Sequence, residues 1–198
     1  MGNLLSSLSK TIHVSLAIAV LLFLGLFYQN DGFSFDALFW SWFARFVHVV
    51  VGIMWIGLLW YFNFVQIPSM PNIPNEQKPA ISKFIAPEAL FWFRWAALAT
   101  LITGLILGHI NGYLYDALTL DTSDGKNLMI GVGMWLGTIM AFNVWGVIWP
   151  NQKKALGLVD ASAEQKAASA KKAMLFSRTN TLLSIPMLYC MVGAQNLY

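Results

Sequence analysis

The sequence predicts an all-α integral membrane protein, a polytopic helix bundle, on three observations. Of its 198 residues, 58% are hydrophobic and only 11% charged, whereas a water-soluble domain carries about 25% charged residues. Five long apolar runs alternate with polar breaks, and a bilayer core calls for about 20 mostly apolar residues per helix. The runs are continuous rather than alternating in polarity, which argues against a β-barrel of many short strands. Residues 1–198 are therefore expected to form one membrane domain.

The first span is expected near 11–28 and the second near 37–67, the latter long enough to tilt or to enter the interface. Between the second and third spans lie Pro68, Pro71, Pro74, Pro79 and Pro87, which predict an extended, semi-rigid segment beside the membrane. The third span is expected near 88–111 and the fourth near 128–149. Ala, Glu, Gln and Lys dominate 160–172, so this stretch is expected to be an amphipathic extension of the fifth span, near 173–196.

Lys10, Lys78, Lys83, Lys153, Lys154, Lys166, Lys171 and Lys172 fall on one side of this topology, against Lys126 alone on the other. The positive-inside bias sets the N-terminus in the cytoplasm and Tyr198 outside, with Asp31, Asp36, Asp116, Asp121 and Asp124 on the outer side. A multi-pass membrane protein is expected. The net charge of +3 is spread over loops and forms no cationic stripe, so a nucleic-acid partner is not expected. The lone Cys190 excludes an intrachain disulfide, and no Cys-x-x-Cys-His exists for covalent c-type haem. Paired intramembrane carboxylates, a nucleophile elbow and a phosphate-binding glycine loop are absent, which argues against hydrolytic chemistry.

Ionisable groups within a span cost about 2.5–3.5 kcal/mol each at the bilayer centre, so each calls for a reason. On the second helix Arg45, Gly52, Trp55 and Asn63 all lie within about 60° of His48 on a helical wheel. His48 is roughly 16 Å from the outer end of that helix at about 1.5 Å per residue. A buried neutral imidazole suits haem iron, a nearby glycine admits a flat macrocycle, and Arg45 suits a propionate. The plainer reading is that His48 hydrogen-bonds across the bundle and the glycines permit close packing. His109 is the second-ligand candidate, although at the outer end of the third helix it also reads as an interfacial residue. A symmetric homo-oligomer would supply a second His48 instead.

Gly104 and Gly108, and Gly133 and Gly137, have the small-xxx-small spacing of packed membrane helices. Ser177, Thr181 and Ser184 share a face of the fifth helix and are expected to bond Asn143. With Asn63, Arg178 and Asn180 they form either interhelical glue or a pocket for a polar substrate or quinone. Most tryptophans read as interfacial anchors.

Four stretches in order carry a family resemblance. They are His48-Val49-Val50-Val51-Gly52-Ile53-Met54-Trp55-Ile56-Gly57 with Trp60-Tyr61-Phe62-Asn63, then Phe91-Trp92-Phe93-Arg94-Trp95. Next come Phe142-Asn143-Val144-Trp145 through Trp149-Pro150-Asn151-Gln152-Lys153-Lys154, and finally Ser177-Arg178-Thr179-Asn180 through Ser184-Ile185-Pro186-Met187. From about Leu38 onward the chain resembles the membrane domain of bacterial cytochrome-linked urate oxidases. In full-length members that domain leads into a c-type cytochrome domain, whereas this sequence stops at Tyr198. His48, Trp55 and Gly57 are also similar to a pattern in membrane protoporphyrinogen oxidases and copper-resistance D proteins, although the intramembrane lysine of the porphyrin oxidases is absent here. The resemblance implies a membrane redox protein with b-type haem that passes electrons to an external cytochrome c while oxidising urate or a similar small reductant. A non-catalytic subunit of a larger respiratory or photosynthetic membrane complex is the alternative. A transporter is less favoured, since no inverted repeat is found.

Overall fold

The apolar runs fold as helices, and no strand occurs among the residues described by the computed structural model, 2–28 and 34–198. Asp31 of the expected outer charge set lies outside them. The chain divides into two compact units, Met1–Phe39 and Trp40–Tyr198. In the first, helix α1 (Leu8–Tyr28) exposes Leu16, Ile18, Val20 and Leu21, as a lipid-facing span would. Asp36 closes this unit and caps the next helix, accepting from the amides of Leu38 and Phe39 at 3.0 and 3.1 Å. The Ser34 hydroxyl, followed by the Phe39 amide, holds its carboxyl below the ordinary aspartate value. Protonation as pH falls through that lowered value removes the cap, which is fully present above the ordinary value.

Four long helices make up the second unit: α2 (Ala37–Trp60, entering from the first), α3 (Ala86–Ile110), α4 (Gly125–Phe142) and α5 (Ala163–Asn196). Turns extend α2 into a helical run Ala37–Asn72, α3 into Lys78–Ile110 and α4 into Gly125–Ala155. With α1, these make four helices long and apolar enough to cross a membrane among the described residues. The chain is a membrane-type helical protein, as expected. The fifth expected span merges with its amphipathic extension into the 34-residue α5. Its polar groups keep it out of that apolar set, and several are buried: Ser177 is 5% exposed, and Asn180 and Ser184 are fully enclosed. Ser162 and Gln165 close its N-terminus as a reciprocal capping box.

The proline-rich connection is helical rather than extended. Pro68, Pro71, Pro79 and Pro87 occupy the first turns of successive helical pieces, where a missing N–H leaves no bond unmade. Between these pieces Ile73 is extended, with ψ 129°.

Each extended run contains a π-helical turn: Tyr61–Gln66, Ile81–Ile85 and Asn143–Ile148. The main core gathers beside these turns from Leu59 and Phe62, Phe93 and Ala97, Met140, Val144 and Ile148, and Met187. A smaller core joins Ala117 of the short helix Leu114–Leu118 to Ile130 and Ala194. Here Gly131 lies directly against the Ala117 carbonyl, while Gly133 faces Cys190 of α5, where a β-carbon would come to 3.1 Å from the cysteine Cβ. Of the expected α4 pair, Gly133 is therefore a close-packing position, whereas a β-carbon at Gly137 would meet nothing within 4 Å.

Replacing Gly131 by alanine drives a methyl group into the Ala117 carbonyl and should cost about 1–3 kcal/mol. Thermal unfolding in detergent, followed by helical circular dichroism, should register the loss. Gly137→Ala, whose new methyl meets nothing within 4 Å, should unfold no earlier than the parent.

Candidate functional site

Arg45, His48, Gly52 and Trp55 of α2 line a single cavity of about 610 Å³, within the roughly 300–1,000 Å³ of small-molecule sites. The helical wheel groups these four with Asn63, which does not line the cavity and instead bonds the Leu59 carbonyl and Ser177 Oγ. Thr100 and Gly104 of α3, Met134 and Gly137 of α4, and Met187, Met191 and Gln195 of α5 complete the walls, which are mostly hydrocarbon.

His48 is fixed across the bundle. Its Nδ1 lies 3.1 Å from the Thr100 carbonyl oxygen and 3.1 Å from Thr103 Oγ1. A carbonyl can only accept, and the single Thr103 hydroxyl proton is directed to the Ala99 carbonyl at 2.7 Å. Nδ1 therefore carries the proton and donates, which leaves Nε2 as the lone-pair nitrogen of the neutral ring. Nε2 has no hydrogen-bond partner among the described residues. Gly104 makes this placement possible: a β-carbon there would stand 3.0 Å from His48 Cε1. The plainer reading of His48, a hydrogen bond across the bundle, is realised at Nδ1.

Arg45 donates from Nη1 to Gln195 Oε1 at 3.0 Å, linking α2 to the end of α5. It has no carboxylate partner among the described residues. Tyr113 borders the same cavity; burial pushes its phenol up, opposed by the Arg45 charge. The wall of an apolar cavity thus holds a cation, Arg45, without an anion among the described residues. Trp55 is 2% exposed, and its indole N–H finds no acceptor among the described residues.

His109 is exposed at the end of α3 and does not line this cavity. Five residues beyond Gly104, it stands roughly 7.5 Å further along the helix. The structure does not bring the two histidines together. No group of three His, Cys, Asp or Glu side chains is positioned to hold a metal ion among the described residues.

The other polar candidates form connections between helices rather than a pocket. Asn143 Nδ2 donates to Asn180 Oδ1 at 2.9 Å, and Asn180 Nδ2 donates to the Met140 carbonyl at 2.9 Å. Asn63 donates to the Leu59 carbonyl and to Ser177 Oγ, and Trp60 Nε1 donates to Ser184 Oγ. The expected bonds from Asn143 to Ser177, Thr181 and Ser184 are therefore replaced, because Asn180 stands nearest Asn143 while Thr181 bonds the carbonyl four residues back. Arg178 is exposed. At this level a smaller cavity of about 140 Å³ is lined by Gln66, Gln152 and Ser177 among others, and the Gln66 and Gln152 side-chain carbonyls have no donor among the described residues. The cavity is large enough for several waters.

Thr100, Thr103, Tyr113 and Gln195 are the site residues that sequence reasoning misses. Thr100 and Gly104 share a helical face at spacing four, the one available signal. The bonds from Nδ1 and Arg45 join residues 52 and 150 positions apart and leave no local trace.

A family model described as urate oxidase N-terminal matches residues 118–196. No curated protein and no solved structure is similar enough to match. The matched stretch supplies the α4 and α5 walls of the larger cavity, together with Asn143, Asn180 and Ser184; His48 and Arg45 lie before it.

Asn180→Leu strands the Asn143 amide in the core and should cost about 1–3 kcal/mol. The double variant Asn143→Leu/Asn180→Leu should recover part of that loss in detergent unfolding, because no polar group is then left without a partner.

Proposed function

We propose, from the match of residues 118–196 to the family model described as urate oxidase N-terminal, that this chain is a redox protein of the bacterial inner membrane. In this reading it holds b-type haem on His48 and passes electrons to an external cytochrome c, with urate or a similar small reductant as the electron source. The observation that carries the reading is the His48 imidazole. Its Nδ1–H is committed to the Thr100 carbonyl, and its bare Nε2 belongs to a residue on the wall of a large apolar cavity. Histidines that ligate metals commonly donate their other nitrogen to a backbone carbonyl in this way.

The remaining residues fit the same group. Gly52, Gly57 and Gly137 offer almost no side-chain bulk to a flat ring: a β-carbon would find nothing within 4 Å at Gly57 and Gly137 and only a methyl at 3.9 Å at Gly52. Arg45, without a carboxylate of its own, suits a propionate. The thioethers of Met134, Met187 and Met191 line the cavity and are the chain's own soft donors there, whereas His109 is not. When bound, haem supplies one-electron transfer. The chain keeps water from the ring with hydrocarbon walls and fixes the imidazole's orientation through Thr100 and Thr103.

In this reading α5 is a fifth crossing, since it runs alongside the α4 run Gly125–Ala155. The lysine excess then orients the N-terminus inward and sets the Arg45 end of the cavity on the outer side, where a cytochrome c would dock.

Protein purified after expression with ample haem should show a Soret band that His48→Ala abolishes. His109→Ala should leave the band unchanged. A colourless parent protein, or an unchanged band in His48→Ala, overturns the reading.

A further inference from the structure

At the end of the second unit opposite Arg45, a second cation stands without an anion. Arg94 of α3 packs its guanidinium over the Trp149 ring, 4.0 Å from the centroid, and lies 5.2 Å from the Phe91 centroid. Lys153, one helical turn beyond Trp149, brings its ammonium to 5.7 Å from the same ring. The two cations therefore sit no further apart than about the Debye length at 0.1 M salt, ~10 Å.

The rings lend these cations their faces but accept none of their N–H donors. Neither cation has a hydrogen-bond acceptor or an ion-pair partner among the described residues. The neighbouring carboxylate, Glu88, accepts from Trp92 Nε1 at 2.9 Å. The site is also held in place: Trp145 Nε1 donates to the Arg94 carbonyl at 3.0 Å, and the Trp95 and Trp145 rings meet edge-on at 5.2 Å. These contacts tie α3 to the π turn of the α4 run.

We propose that Arg94 and Lys153, gathered on Trp149, bind the phosphate of an anionic phospholipid. Charge complementarity favours an anion between two cations that have no carboxylate partner among the described residues. The surroundings identify its carrier, since Phe91, Trp92 and Trp95 are 42%, 51% and 47% exposed and form an aromatic surface for acyl chains at the membrane interface. Lysine-rich helix ends recruit such lipids. A zwitterionic lipid brings a cation of its own into the cluster and is the weaker ligand.

The test uses the full chain in a neutral detergent, with bound lipid counted by native mass spectrometry. Phosphatidylglycerol should be retained in preference to phosphatidylcholine and should raise the unfolding temperature. Arg94→Gln and Lys153→Gln should each lower its retention about fivefold, corresponding to about 1 kcal/mol per basic residue. Lys171→Gln, which removes a charge elsewhere at this end, should change it little, and circular dichroism should show all three variants folded. Equal loss in Lys171→Gln would mean diffuse attraction and overturn the site. Stabilisation by inorganic phosphate equal to that by phosphatidylglycerol would overturn the lipid assignment, and unchanged retention in the two site variants would overturn the proposal. The haem reading does not depend on this outcome, since His48 lies in a separate cavity.

Discussion

A polar group at membrane depth must find its partner inside the protein, and the hydrogen bond from His48 Nδ1 to the Thr100 carbonyl shows that constraint at its sharpest. Lipid offers no alternative acceptor. The ring can sit there only because Gly104 has no side chain and because Thr103 directs its own proton elsewhere. Those three residues of α3 thus decide which nitrogen of an α2 histidine remains available. The chemistry open to the cavity follows from a packing arrangement on the neighbouring helix.

The same constraint explains the other end of the bundle. A π turn widens the helix and disturbs the regular ladder of carbonyls. Carboxamides serve the backbone at two of the three: Asn63 bonds the Leu59 carbonyl and Asn180 bonds the Met140 carbonyl. Each also connects two helices, so the polar face of α5 is consumed in joining it to α2 and α4. The hydrophobic core lies at this level because the polar groups within it are largely partnered. The cavity, by contrast, lies where glycines and short polar side chains replace bulk.

Helix class and approximate spans were legible because their signal is local and long: about twenty apolar residues in a row admit few alternatives. The face shared by Arg45, His48, Gly52 and Trp55 was legible for the same reason, being a matter of period within one helix. The number of prolines in the connection predicts extended chain, whereas Pro68, Pro71, Pro79 and Pro87 each stand at the start of a turn, where proline is compatible with helix. The partners of Asn143 and His48 were not legible, since they depend on the register between helices distant in sequence. That Trp149 and Lys153 converge on Arg94 is a fact of packing alone.

The family match covers the α4 and α5 walls, and the histidine faces them from α2, so the account stands or falls on the state of that one ring. The most direct measurement is long-range proton–nitrogen correlation on histidine-labelled protein in nanodiscs, with assignment by His48→Gln. The account predicts a proton on Nδ1, an unprotonated Nε2, and selective loss of the Nε2 signal when ferric haem is added. A proton resident on Nε2, or a His48 signal indifferent to haem, would contradict it.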